Sequence, residues 1–343
     1  MNKSINIKII IVSCVVILSV VMIFILFVER KKLLPNDYLA GNTNYEKVSY
    51  YNNPIIPKGF KKVETEGASW ELIDGIPQGW NDGLVIEDEI GNQFIWIPVN
   101  LNNIEFSERD LKYNYAYNKN KMNMNDREEA QILRYGGFYI ARYEAGLPEK
   151  IVAETIEFNK ETNNVEGTPT SKKNQIVWNY IDWSLAKKNS TKMYYNDDIE
   201  SDLVTTKQWN YIMYWLEQKG YDTEDSKEWG NYSNNNFEFT GYYSRDYGKT
   251  YKHGENINKQ RYNMILSTGA TERNKSANIY DIAGNISEFV DIHSRTENNG
   301  QNTELYCSWG GYYDNISKYS ANSNMAITTA NSKQGFRVAL YLK

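Results

Sequence analysis

Three kinds of hydrophobic pattern follow one another along the chain. From Ile9 to Val28 every residue is apolar or small (IIIVSCVVILSVVMIFILFV). As a helix rising 1.5 Å per residue, that run is roughly 30 Å long and matches the hydrocarbon core of a bilayer. It meets Glu29, Arg30, Lys31 and Lys32 directly, with no small-residue cleavage site, so it predicts an uncleaved transmembrane anchor rather than a secretory signal. Residues 1–8 are then a short tail. Residues 29–54 carry no sustained period and many turn formers, which predicts a stalk.

Beyond Ile55 the pattern changes to short apolar runs of strand period. GLVIEDEIGNQFIWIPV (83–99) predicts a hairpin turning at Glu89, Gly91 and Asn92, with Phe94–Val99 as its second strand. GGFYIARYEAG (136–146) predicts another strand, with Phe138, Ile140 and Arg142 on one face and Tyr139, Ala141 and Tyr143 on the other. Short strands return around 306–313 and 335–342. Between them the period becomes helical. One helix is predicted over Asp182–Met193, and a second starts at a Thr205 or Thr206 cap, carries Trp209, Ile212, Met213 and Leu216 on one stripe, and stops at Gly220. That stripe is core. Two polar stretches show little period: 100–130, predicted as a long surface insertion with a short helix near its end, and 222–262, predicted as a second long loop region. The result is an irregular α+β domain over 55–343, with short strands, two helices and long loops, preceded by the membrane helix at 9–28.

Composition narrows the functional classes. With 41% hydrophobic and 14% aromatic residues the chain can bury a sizeable core. Tyr (28) and Trp (9) dominate the aromatics, and such rings suit half-buried loops and contact surfaces. A net charge of -5 with interspersed signs excludes a nucleic-acid footprint. The basic residues flanking the apolar run, Lys3 and Lys8 against Arg30, Lys31 and Lys32, do not choose its orientation. Ile11-Val12-Ser13-Cys14 imitates a lipoprotein box, but too short an apolar run precedes it. Cys14 lies inside the predicted span and Cys307 in the domain, so an intrachain disulfide is not expected. Cys307 itself reads as a small, partly apolar core residue.

Six segments then fall in one order: FIWIPV, GGFYIARYEAG, LVTTKQWNYI, NIYDIAGNISEFV, CSWGGYYD and GFRVAL. Together, over about residues 83–343, they resemble the formylglycine-generating enzyme or sulfatase-modifying factor family, whose domain is a variant of the C-type lectin fold. In that family the turn matching NIYDIAGNISEFV binds calcium, and the resemblance implies ligands from the Asn285 side chain, the Ile286 carbonyl and the Glu288 side chain. Hard Ca²⁺ favours such a set of oxygens. Hydrogen bonds from Asn285 to nearby backbone would hold the same turn without a metal.

Catalysis in the family depends on a pair of thiols after the GGS(Y/W) motif, which hold copper and activate oxygen. From Tyr312 to Val338 this chain has no cysteine, and Cys307 precedes the motif alone, so copper is not expected. A related branch takes iron on three histidines, and this chain has only His253 and His293. Pairing His293 with Asp291 or Cys307 as a hydrolase site has no support beyond proximity in sequence. In LVTTKQWNYI, Asp202, Val204 and Gln208 replace the family's Arg, Pro and second Glu, while the cap and Trp209 remain. Arg337 in GFRVAL sits in an apolar strand and calls for a buried carboxylate, with Glu144 and Glu288 as candidates. The Trp80-Asn81-Asp82 tripeptide imitates a lectin calcium motif but stands too early in the domain, and is read as a turn.

The expectation is therefore a single-pass cell-membrane protein with its domain outside the cytoplasm, binding a protein or glycan ligand rather than oxidising cysteine. The alternative is a copper-dependent formylglycine-generating oxidase or a related enzyme at the same cleft. The expected ligand-binding face is Tyr306, Trp309, Tyr312, Tyr313, Asp314, Asn315, Tyr319, Asn322 and Asn324, where rings and amides combine contact area with adaptable hydrogen bonds.

Overall fold

The computed structural model describes residues 52–73, 76–99, 126–148, 158–298, 301–315, 320–321, 324–327 and 330–343. The predicted span at 9–28, most of the stalk, and most of the 100–130 insertion lie outside them. Among the described residues no helix is long and apolar enough to cross a membrane.

The chain folds as a mixed α+β structure with few helices and several sheets. Its main sheet has six strands, in the order Phe60–Val63, Val85–Asp88, Gln93–Pro98, Gly137–Ala141, Val338–Leu342 and Ile199–Leu203, each antiparallel to its neighbours. The expected 83–99 hairpin supplies two of these strands, reversing at Gly91 with φ 92°. The C-terminal strand inserts between Gly137–Ala141 and the edge strand Ile199–Leu203, so it is paired on both sides.

Gly137–Ala141 is buried at every position, because both faces of the sheet are covered. On one side Ile95, Ile97, Phe138, Ile140, Ala339 and Tyr341 pack with Trp209, Ile212, Met213 and Leu216 of the Thr206–Gln218 helix. On the other, Trp96 meets Tyr139 edge-on at 4.9 Å and Phe94 meets Tyr194 at 5.7 Å. A strand covered on both faces needs no polar alternation, since neither row of side chains meets water. Fully burying each large apolar side chain contributes roughly 1.5–3 kcal/mol.

Both expected helices form, and their caps explain where they begin. Asp182 accepts from the Leu185 amide ahead of Trp183–Met193. Thr205 and Gln208 make a reciprocal capping box, Thr205 Oγ accepting from the Gln208 amide at 3.1 Å and Gln208 Oε1 from the Thr205 amide at 3.0 Å. Gln208 thus does the capping work of a glutamate without burying a charge. The short helix expected near the end of 100–130 starts there and runs on as Arg127–Tyr135, capped by Asp126 and ended by left-handed Gly136, and the structure adds a single helical turn at Lys160–Asn163.

The prediction of loop over 222–262 is corrected. Glu238–Ser244 and Lys252–Asn258 pair as an antiparallel hairpin, extended by Ile265–Leu266 into a three-stranded sheet. The strand period was hidden because the pairing shifts between Phe239 and Gly241 and because Lys252–Asn258 has no buried face. A second hairpin, Ser287–Asn298 with Gln301–Trp309, was also missed. Its Asn299-Gly300 dipeptide is the sequence signal that marks such a reversal. Asn324–Ile327 pairs with Gln301–Trp309, and Gln334–Phe336 runs parallel to Ser287–Phe289.

Candidate functional site

The segment 277–290 is a run of tight backbone turns. Ala277, Asn278, Asp281, Gly284 and Asn285 all have positive φ. Gly284 is required twice over: at φ +72° a side chain is strained, and a Cβ there would lie 2.2 Å from the Asn231 carbonyl oxygen.

Asn285, which follows it, is saturated. Its Oδ1 accepts from Asn231 Nδ2 at 3.0 Å and from the Leu266 amide at 2.9 Å, while Nδ2 donates to Glu144 Oε2 at 2.6 Å and to the Leu266 carbonyl at 3.2 Å. The Ile286 amide donates to the other Glu144 oxygen at 3.2 Å. The turn also holds the C-terminal loop directly. The Gly284 amide donates to the Gly310 carbonyl, Ser287 Oγ to the Gly311 carbonyl, and the Tyr313 amide to the Asn285 carbonyl. Two segments some 25 residues apart, DIAGN and GGYYD, are therefore one hydrogen-bonded unit.

Beneath this unit lies a buried ion pair. Arg337 Nε and Nη2 grip Glu288 Oε2 and Oε1 at 2.8 and 2.5 Å, with side chains 0% and 1% exposed. Nη1 and Nη2 also donate to the Ala141 and Tyr280 carbonyls. Of the two candidate partners, Glu288 makes the contact, and Glu144 serves Asn285 instead. Burial raises the Glu288 carboxyl against the opposing pull of Arg337. Glu144 is held well above the usual carboxylate range by burial and by the Asp281 and Glu288 charges. Asp281, which accepts from the Gly269 amide at 2.6 Å, is pushed up to about 6, chiefly by burial.

The residues proposed to hold calcium do not fit the ion as they stand. Both lone pairs of Asn285 Oδ1 are taken by N–H donors, and both Glu288 oxygens face a guanidinium that would repel a divalent cation. Among the described residues no group of three or more His, Cys, Asp or Glu side chains could hold a metal ion. Cys307 is a free, half-buried cysteine packed against the core, with its thiol pushed up by burial. That shift disfavours the thiolate a soft metal needs. His253 is exposed and meets the Tyr242 ring edge-on at 5.0 Å. In the 80–82 tripeptide, Trp80 is buried, Asn81 Oδ1 accepts from Asn52, and Asp82 pairs with Lys219, all within a turn.

The expected ligand-binding residues divide by position. Trp309 (2% exposed) and Tyr313 (0% exposed) lie in the interior, Trp309 beside Trp209 and Tyr313 donating to or accepting from Ser332 Oγ. This corrects their assignment to a contact face. Tyr306 is half-buried and stacked on Trp183 at 4.8 Å. Tyr312 is half-buried beneath Lys333 Nζ at 4.6 Å, Asp314 accepts from Lys333 and Asn263, and Asn315 Oδ1 accepts from the Tyr312 amide. Tyr319 and Asn322 lie outside the described residues, and Asn324 begins a strand. Asn263, just past the corrected 222–262 region, touches this loop through Asp314, a neighbour that the sequence pattern did not reveal.

No family model matches the chain, and no curated protein matches it. Among solved structures it is similar to one titled "Crystal Structure of CarF", at 16% identity and a TM-score of 0.28, over 42% of this chain and 48% of that one. The match thus spans about half of that protein's length, and a likeness of this size assigns neither fold nor function.

Proposed function

We propose that the chain is a membrane-anchored ligand-binding module, with a sulfatase-modifying-factor-like domain of C-type-lectin-like fold outside the cytoplasm and no oxidase chemistry. The observation that carries this reading is the ligand count. From Tyr312 to Val338 there is no sulfur apart from Met325, and Cys307 precedes the segment as a single thiol. Copper-based oxygen activation in the resembled family needs two neighbouring thiolates, and a thioether cannot replace them as anionic donors.

The rest of the motif has a structural use that requires no metal. Asn285 ties the C-terminal loop to the 278–290 turn, and Glu288 neutralises Arg337, so motif residues persist where catalytic ones do not. What the loop leaves partly exposed is Tyr306, Tyr312, Asp314 and Asn315, a mixture of ring area and amide or carboxylate groups suited to contact with a partner. That partner is a surface ligand, protein or glycan.

Incubating the full-length chain with copper and a cysteine-bearing sulfatase peptide, and reading the peptide by mass spectrometry, tests the reading. The peptide is expected to remain unmodified. Conversion of its cysteine to the aldehyde would replace this proposal with the oxidase alternative.

A further inference from the structure

The turn joining Glu238–Ser244 to Lys252–Asn258 carries chemistry that nothing above uses. Arg245, Lys249 and Lys252 are exposed, and none has an ion-pair partner among the described residues. In a chain of net charge -5, such a concentration of uncompensated cations stands out. The one carboxylate in the turn, Asp246, is exposed, but its oxygens are taken up by hydrogen bonds within the turn rather than by a cation. Its Oδ1 accepts from Ser244 Oγ at 2.6 Å and the Thr250 amide at 3.0 Å, and its Oδ2 accepts from Thr250 Oγ1.

Rings flank Arg245. Arg245 lies 4.5 Å from the Tyr262 ring centre and 5.6 Å from that of Tyr243, while Tyr262 and Tyr247 are 48% and 54% exposed. Tyr243, Arg245, Asp246, Thr250 and Lys252 line a cleft of about 230 Å³. That is below the roughly 300–1,000 Å³ of sites for drug-sized ligands, and suits a single ring.

The turn is also held in advance of any ligand. Tyr247 has a left-handed backbone, φ 62°, and its carbonyl accepts from Tyr180 Oη at 2.8 Å. Gly248 follows at φ +77°, its amide bonded to Ser244 Oγ, and a Cβ there would lie 2.5 Å from Asn179 Nδ2. An exposed tyrosine fixed in a disfavoured conformation by its surroundings marks a functional surface better than a flexible loop would. A fixed surface also loses less entropy on binding.

We propose that this cleft binds an acidic saccharide, a sugar carrying a carboxylate, with its ring against Tyr262 or Tyr243 and its acid group on Arg245 and Lys252. The pairing follows from charge complementarity together with flat apolar faces. Guanidinium and ammonium groups bind the carboxylate, and the exposed aromatic faces take the C–H faces of the ring. The inference rests on the binding reading above and deepens it. Asn263, which follows Tyr262 in the chain, donates through Nδ2 to Asp314 of the Tyr312–Asn315 loop at 2.5 Å.

Titrating the full-length chain with oligogalacturonate, a neutral maltooligosaccharide of equal length and oligodeoxythymidylate tests the proposal. Oligogalacturonate is expected to bind at least about tenfold more tightly than either control, tenfold corresponding to the loss of about 1.4 kcal/mol of contact. Arg245→Ala and Tyr262→Ala should each weaken it by about that factor, and Tyr262→Trp should retain it. Both positions are exposed, so circular dichroism should stay unchanged.

Absence of oligogalacturonate binding would overturn the proposal, as would equal affinity for the neutral sugar. Equal affinity for the phosphodiester polymer, insensitive to Tyr262→Ala, would reduce the site to attraction of any polyanion and overturn it too. If the chain still captures envelope material through Tyr312 while ignoring oligogalacturonate, the saccharide proposal fails alone. Aldehyde formation on the sulfatase peptide would instead remove the binding reading itself.

Discussion

The 277–290 segment and the 238–262 segment both combine Asn, Gly and Tyr with charged residues, and they use them in opposite ways. In the first, every strongly polar side chain is buried and partnered: Asn285 has four hydrogen bonds, and Glu288 holds Arg337 by two contacts. In the second, Arg245, Lys249 and Lys252 stand in water with no ion-pair partner among the described residues. Burial makes an unpaired polar group expensive, so an interior polar cluster must be closed and serves the fold. An exposed cluster can stay open, and its unsatisfied charge is available to a ligand. A familiar motif in the interior therefore says less about activity than an unremarkable stretch at the surface.

The contrast breaks most visibly at Arg337. Arg337→Ala leaves Glu288 charged and alone at 1% exposure, which should destabilise the fold by about 3–5 kcal/mol in denaturant titration. A loss under about 1 kcal/mol would show that the centre is not closed in the way described.

Lys259 sharpens the comparison, because it is a buried charge that breaks the rule. It is 0% exposed, has no carboxylate partner among the described residues, donates to the Tyr232 carbonyl and sits 5.3 Å from the Phe237 ring centre, with its ammonium lowered from 10.5 to about 7 by burial and then by Arg273. Between those values the unfolded chain binds the proton and the folded chain does not, so stability should rise as pH rises from about 7 towards 10.5. Lys259→Met should remove that rise and lift the melting temperature at pH 7. An unchanged pH profile in the variant would mean that Lys259 finds water or a counter-charge.

At the other extreme, Arg245→Ala and Tyr262→Ala should alter stability by no more than about 0.5 kcal/mol while weakening ligand capture. A larger stability loss would make this surface part of the fold and erase the distinction between the two regions.

How much of this could be read from sequence depended on whether local chemistry or tertiary pairing decided the outcome. Helix starts were readable because Asp182 and the Thr205/Gln208 pair act within three residues of themselves. The 85–98 hairpin was readable because Gly91 stands between two apolar runs. Arg337 announced a buried acid, since a guanidinium in an apolar strand has few alternatives.

The Lys252–Asn258 strand was not readable. It is an exposed edge whose partner, not its own pattern, makes it a strand. The aromatic C-terminal loop shows the same limit at the level of single residues. Composition marks Tyr306, Trp309, Tyr312 and Tyr313 equally, but register places Trp309 and Tyr313 inside and leaves Tyr306 and Tyr312 half out.

The most direct test is a double-mutant cycle on Glu288→Gln and Arg337→Met, measured by chemical unfolding with calcium and again with chelator. A closed structural centre predicts a coupling of about 3 kcal/mol, from the buried pair, that is the same in both conditions. A coupling near zero, together with a calcium-dependent gain in stability lost in Glu288→Gln, would contradict it and return this turn to the role of a metal site.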